Sequence, residues 1–93
     1  KMQNFNTITQ SVYSVNNQTN LEEHKEAYNL TSDAWAGFKQ WSEAGRKVSK
    51  GAKGCKIFMV CDKKITTKSG VEDTKKVLKA LYVFNIEHTE EIK

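Results

Sequence analysis

The sequence lacks the features that mark several large classes of protein. No apolar run approaches the roughly 18 residues that a membrane-spanning helix needs, which excludes a helical membrane protein. No basic, apolar and small-residue signal pattern opens the chain, so it is expected to be cytoplasmic, with no membrane partner. Proline is absent and glycine occurs five times. Three of those glycines, Gly45, Gly51 and Gly54, fall close together and mark one special loop. Cysteine occurs twice, as Cys55 and Cys61, and the even spacing puts both on one face of an apparent strand. Neighbours on a single strand seldom have disulfide geometry, and the spacing is no zinc signature, so both are read as buried structural thiols. Catalytic signatures are missing too: there is no H-E-x-x-H, no Walker A and no Rossmann glycine pattern. His24 and His88 lie in different elements. Glu22, Glu23 and Glu26 read as a solvated helix face, and Asp62, Glu72 and Asp73 flank a polar loop rather than forming a metal-ion cluster. The chain is therefore expected not to be an enzyme, with no catalytic residues, metal ligands or cofactors.

What is present fits one domain spanning residues 1–93. Hydrophobic residues are 38% and aromatics 10%, too many for a disordered tail, and there is no internal repeat. Net charge is +4, and its distribution says more than its sum. Residues 1–38 sum to −2, residues 39–79 to +8 and residues 80–93 to −2. Between Glu43 and Asp62 stand Arg46, Lys47, Lys50, Lys53 and Lys56 with no acid among them. Such segregation points to a polyanion-facing surface.

Phe5, Ile8, Val12 and Val15 recur at spacings of three and four, which predicts a short amphipathic helix. A second helix is expected to run to about Asn29, starting at Asn20 as an N-cap with Glu23 at its third position, or earlier. Leu21, His24, Ala27 and Tyr28 would share a face of it, and Asp33 is a candidate cap after the polar break that follows. Phe38 to Ala44 reads as a short helix stopped by Gly45. Cys55 to Cys61 and Val77 to Ile86 read as strands joined by a long polar segment turning at Ser69-Gly70, an antiparallel pair. Helices first and strands later predict an α+β fold, N-terminal helices packed on a small antiparallel β-sheet. The expected core includes Phe38, Ile57, Val60, Leu81, Val83 and Phe84.

The segment from Arg46 to Gly54 carries the chemistry. Glycines at 51 and 54 let the backbone turn tightly and expose its N–H groups, and Lys50 and Lys53 put charge beside those donors. That pairing suits a phosphodiester backbone without base specificity. Trp35, Phe38 and Trp41 precede the loop and Phe58 follows it. Single-stranded nucleic acid is held by cations on phosphates and aromatics stacked on bases. At a spacing of three, Trp35, Phe38 and Trp41 would share one helix face. Phe38 is assigned to the core, while Trp35 and Trp41 stay open between core and stacking contact. The candidate nucleic-acid-binding residues are thus Lys39, Arg46, Lys47, Lys50, Lys53 and Lys56 with Trp35 or Trp41.

Gly37-Phe38-Lys39-Gln40-Trp41 followed by Gly45-Arg46-Lys47-Val48-Ser49-Lys50-Gly51-Ala52-Lys53-Gly54 resembles the G/T-F-K-x-W … G-x-x-V-x-K-G-E-K-G core of the ArdC N-terminal domain family. Tyr13-Ser14-Val15-Asn16-Asn17 is similar to its Y-S-x-N-N segment, and Tyr82-Val83-Phe84-Asn85-Ile86-Glu87 to its closing V-F-N/D-V strand. The matches are collinear over about residues 13–88. Ala52 stands where the family has Glu, and Ser49 where a basic residue is common. The resemblance implies single-stranded DNA binding by a small stand-alone member from a mobile genetic element, with Asn16 and Asn17 added as contacts or as residues that hold the loop. The role it implies is a non-catalytic accessory of replication or priming beside a DNA polymerase or primase subunit. Antirestriction, protecting incoming single-stranded DNA, is the alternative. A basic protein-interaction module and a small nuclease are the competing classes.

Overall fold

The computed structural model describes residues 3–92. Its elements run β1 (Phe5–Asn6), α1 (Val15–Ala27), β2 (Ala34–Gly37), α2 (Phe38–Glu43), β3 (Arg46–Val48), β4 (Cys55–Thr66), β5 (Glu72–Asn85), a 3₁₀ turn (Ile86–His88) and β6 (Thr89–Glu91). Four strands form one sheet in the order β1-β2-β5-β4, and β3 pairs with β6 in a small second one. The fold is α+β. The main sheet is mixed rather than antiparallel throughout, because β1 runs parallel to β2.

The helix expected over Phe5 to Val15 does not form. Asn6 Oδ1 accepts from the backbone N–H of Ile8 and Thr9, at 2.9 and 3.0 Å, and holds a turn there instead. The β-branched run Thr7-Ile8-Thr9 adds to the bias against helix. Gln10, at a φ of 65°, reverses the chain, and Tyr13 N–H returns to the Asn4 carbonyl. The apolar spacing that suggested a helix is incidental, since Val12 and Val15 are exposed.

α1 is capped by Ser14, whose hydroxyl accepts from Asn17 N–H, and not by Asn20. It has no broad apolar stripe. Of the face expected to be shared, Leu21 is fully buried and His24 partly so, but Ala27 and Tyr28 are exposed. The helix is docked mainly by amides. Gln18 Oε1 accepts from Asn4 N–H and Nδ2, at 2.9 and 2.8 Å, and its Nε2 donates to the Asn4 and Tyr13 carbonyls. Asn4 Oδ1 in turn accepts from Trp35 Nε1 at 2.8 Å. Each of these buried polar groups therefore has a partner, the condition under which burial is tolerated. Asp33 caps nothing; its carboxylate bonds Lys25.

Trp35 lies in strand β2, so the expected helical trio of aromatics does not exist. Trp35 and Trp41 are 0% and 1% exposed. α2 begins only at Phe38 and ends at Glu43 with Ala44 as its C-cap, followed by Gly45 at a φ of 85°, as its stop signal predicts. Of the expected core, Ile57 and Val83 are buried, Leu81 packs against them and Phe84 is half-buried. Phe38 and Val60, at 62% and 64% exposed, are not core. Phe38 opens α2 at the margin of the sheet, and Val60 lies on the face of β4 away from Ile57. Cys55 is buried, whereas Cys61 is only half-buried because it stands beyond the reach of α1.

β4 and β5 are longer than the sequence suggests. They pair without interruption from Cys55↔Val83 to Thr66↔Glu72, and the segment expected to be a loop is mostly strand. A turn around Gly70, at a φ of 81°, joins them, with Thr67 N–H bonded to the Val71 carbonyl. β2 pairs only with residues Val83, Phe84 and Asn85 of β5. The hairpin therefore projects as an arm, and the molecule measures 52 × 32 × 23 Å. Among the described residues no helix is long and apolar enough to cross a membrane.

Candidate nucleic-acid interface

Where the arm leaves the base, a cleft of about 660 Å³ opens. Ile57, Met59, Leu81 and Val83 of the hairpin line it, with Val12 to Ser14 from the loop before α1 and Gly37 to Gln40 from the start of α2. Phe38, Phe58 and Tyr82 stand at its border and all three are exposed, with the side chains of Phe58 and Tyr82 on the face of the hairpin opposite Ile57 and Leu81. Rings of this kind are unusual on a bare surface and suit flat apolar partners. Lys39 stands at the same cleft, exposed. Lys56 pairs with Tyr82 across the hairpin, and its Nζ lies 5.7 Å from the centre of the Phe58 ring.

Asn17 holds this edge together. Its Nδ2 donates to the Phe58 carbonyl at 2.7 Å and its Oδ1 accepts from Phe58 N–H at 3.0 Å. One side-chain amide thereby does for the edge of β4 what a neighbouring strand would do. Asn16, one residue earlier, is exposed on the first turn of α1. On the far wall, Asn6 Nδ2 donates to Gln40 Oε1 at 2.9 Å and to the Tyr13 hydroxyl at 3.1 Å. Burial raises the Tyr13 pKa more than the Asn6 contact lowers it, so the phenol stays protonated at neutral pH.

The glycine loop sits next to these rings. Gly51 needs its φ of 84°, and Ala52 N–H closes the turn on the Ser49 carbonyl at 3.0 Å. Gly54 has another reason: a Cβ there would crowd the Phe84 ring, which lies 3.1 Å from that position. Phe84 in turn packs edge-on against Phe38, with ring centres 6.3 Å apart. His24 Nε2 lies 3.0 Å from the Lys53 carbonyl and ties the loop to α1. A carbonyl only accepts, so His24 carries its proton on Nε2. Burial depresses its pKa despite that bond, and the charge of His88 adds to the depression. Lys50 and Lys53 are exposed on the outside of the loop.

The structure thus sorts the six candidate cations into three pairs. Lys39 and Lys56 stand beside exposed rings, and Lys50 and Lys53 ride on the glycine loop. Arg46 and Lys47 are engaged elsewhere. β3 pairs with β6, which brings Glu91 within 3.9 Å of Arg46 and Glu90 within 3.8 Å of Lys47. Arg46 Nε also donates to the Thr89 hydroxyl at 2.8 Å. The acid-free strip between Glu43 and Asp62 is therefore part-neutralised by residues more than forty positions away. Trp35 and Trp41 present no face to a base, because both are enclosed and their indole N–H groups are committed to Asn4 and to the Phe84 carbonyl. The accessible rings are instead Phe38, Phe58 and Tyr82. The alternation of β4 carried the signal for the last two: Lys56 and Phe58 lie on the face opposite Ile57, directly across from Tyr82 and Ala80.

The family described as the N-terminal domain of anti-restriction factor ArdC matches residues 2–84. Among solved structures, the metal-free form of the antirestriction ArdC protein from plasmid R388 superposes with a TM-score of 0.86 at 22% identity, over 99% of this chain and 34% of that one. The Mn(II)-bound form of the same protein gives a TM-score of 0.76 at 22% identity, over 99% and 36%. The chain thus spans about a third of the length of the solved protein it matches. No curated protein matches it. Among the described residues no three His, Cys, Asp or Glu side chains come together to hold a metal ion.

Proposed function

The chain belongs to the family of the N-terminal domain of the anti-restriction factor ArdC, and from that premise we propose that it is a non-catalytic module that binds single-stranded DNA and serves antirestriction. The observation that carries the reading is the cleft. Three exposed rings, Phe38, Phe58 and Tyr82, stand at the border of the apolar cleft beside Lys39 and Lys56, with Lys50 and Lys53 on the adjoining loop. Bases stack on the rings and phosphates meet the lysines, a sequence-tolerant mode of binding.

Fluorescence anisotropy of a labelled single strand over a salt series tests this. If about four phosphates are neutralised, the log–log slope is roughly −3. Phe38→Ala then weakens binding by about 1–3 kcal/mol at constant slope, while Lys50→Ala with Lys53→Ala flattens the slope. Binding that ignores salt and the Phe38 ring would overturn the reading and favour a protein-interaction module. Incubation of labelled strands with Mg²⁺ or Mn²⁺ tests the non-catalytic part: cleavage that survives repurification would make the chain a nuclease. A role in replication or priming beside a polymerase or primase uses the same surface. Stimulated primer extension without protection of incoming DNA from a restriction endonuclease would favour that role over antirestriction.

A further inference from the structure

The register gives the arm two unlike faces. Even-numbered residues of β4 and β5 share one face, odd-numbered residues the other, which continues the side where Ile57 and Val83 are buried. On the even face Asp62 stands opposite Lys76, bonded at 3.0 Å. On the odd face Lys63 stands directly opposite Lys75, and neither has an acidic partner within ion-pair distance among the described residues. Lys79 lies on the same face, opposite Met59, which lines the cleft. The one acid on this face, Asp73, sits opposite Ile65 near the tip. Like charges placed directly across a ladder destabilise it. The fold neutralises one face of its arm and leaves two opposed lysines on the other, the one that leads out of the cleft.

We infer that the odd face of the arm is a phosphate track, on which Lys79 and then the Lys63–Lys75 pair carry a single strand of nucleic acid onward from the cleft. This rests on the DNA-binding reading above and extends it from a cleft to a path. Four residues along β5 separate Lys79 from Lys75, about 13 Å of strand. The occupant follows from charge complementarity and from the cleft residues Ile57, Met59, Leu81 and Val83, which this face shares, while the rings of Phe58 and Tyr82 stand on the other face of the hairpin. A phosphodiester chain supplies evenly spaced anions, and between Lys63 and Lys75 one phosphate relieves the repulsion of two ammonium groups.

Anisotropy with two labelled oligonucleotides tests it, one of about 4 nucleotides and one of about 12, within the range that single-strand sites span. Lys63→Ala with Lys75→Ala is compared with Lys64→Ala with Lys76→Ala, both in the full chain. On the longer strand the 63/75 variant loses affinity and its salt slope flattens by about 0.7, for the one phosphate the pair holds. It leaves the short strand unaffected, and the 64/76 variant leaves both unaffected. The thermal midpoint of the 63/75 variant is not lowered, since both positions are exposed, while the 64/76 variant loses only the exposed bond of Lys76 to Asp62. Equal effects from both variants, an equal loss on the short strand, or no loss at all would overturn the track while the cleft stands. So would reduced self-association in sedimentation with DNA binding unchanged, which would assign the face to a second copy. Failure of the unmutated chain to bind either strand would overturn the DNA-binding reading and the track together.

Discussion

The base of the molecule and its arm are held together by different means. In the base, Trp35, Trp41, Leu21 and Ile57 are sealed from water, and the amides of Asn4, Asn17, Gln18 and Asn85 are buried among them. Asn85 Nδ2 reaches the Ser32 carbonyl at 2.7 Å while its Oδ1 accepts from Glu87 N–H, so loops are fixed from inside. In the arm, between Asp62 and Ala80, only Ile65 and Val77 are even half-buried. Its order comes from the backbone ladder, the Thr67–Val71 turn and the base on which it is anchored. A lone two-stranded hairpin is marginal in water, so the arm borrows its persistence from the base. Stability is accordingly uneven, and the arm is where opening under native conditions is least costly.

The largest expected effect separates the two regions most sharply. Trp35→Ala removes a fully buried ring and leaves Asn4 Oδ1 without its donor, and is expected to cost about 3–5 kcal/mol. Leu78→Ala, on the exposed face of the arm, is expected to stay within about 0.5 kcal/mol. Denaturant midpoints measured on both variants check this. Similar losses would mean that the arm is packed on something in solution and that the contrast is false.

Asn17→Ala tests the joint between the regions. It strips both the N–H and the C=O of Phe58 of their partner at the edge of β4. The expected cost is about 1–3 kcal/mol, read as a lowered denaturation midpoint. Amide exchange would show Phe58 losing protection along with the cleft side of the arm. Loss of stability without faster exchange at Phe58 would mean that the helix, not the strand edge, depends on this amide.

The same contrast explains what was legible in the sequence. The strands at Cys55–Cys61 and from Val77 onward, the stop at Gly45 and the tight glycine loop rest on local patterns, and local patterns read directly; the outer arm does not, because its ladder is exposed on both faces and its polar residues read as a loop. The buried amides do not. Asn6 capturing Ile8 and Thr9, or Asn17 imitating a strand, turns a polar residue into a structural one, and no periodicity reports it. The same holds for the site. The glycine loop and its lysines were visible as a run. The neutralisation of Arg46 and Lys47 was not, because Glu90 and Glu91 arrive through a strand pairing distant in sequence. Phe38 is exposed against expectation, and the two tryptophans, left open by the sequence, are core, because a strand ends and a helix begins between Trp35 and Phe38, which breaks the shared face that constant spacing implied.

Acid should weaken the base before it affects the arm. Glu87 accepts from the backbone N–H of Thr31 and Ser32, which lowers its pKa, and Glu22 is lowered by Lys25 and then Asn4. A carboxyl depressed in the folded state contributes stability above its unfolded pKa and loses it as pH falls through the folded one. Both groups are thus expected to stabilise the chain fully above about pH 4.5 and progressively less below it. Thermal melts from pH 6 downward check this, with Glu87→Gln flattening the acid limb. An unchanged limb in that variant would remove the Thr31–Ser32 anchor from the account.

The smallest effect is the most telling about the arm. Lys63 and Lys75 face each other across the ladder as like charges, so Lys63→Glu converts a repulsive cross-strand pair into an attractive one. The expected result is a gain of roughly 0.2–1 kcal/mol, at the low end because both side chains are exposed and screened by salt. The gain should shrink as ionic strength rises. Asp62→Ala on the reverse face, which breaks the bond to Lys76, is expected to do the opposite by a similar amount. If Lys63→Glu stabilises the free protein while weakening its hold on a long single strand, the opposed lysines are kept for the ligand at the expense of the fold. If it destabilises the free protein, the pair is held apart by geometry that cross-strand distance alone does not capture, and repulsion cannot be the reason for the unneutralised face.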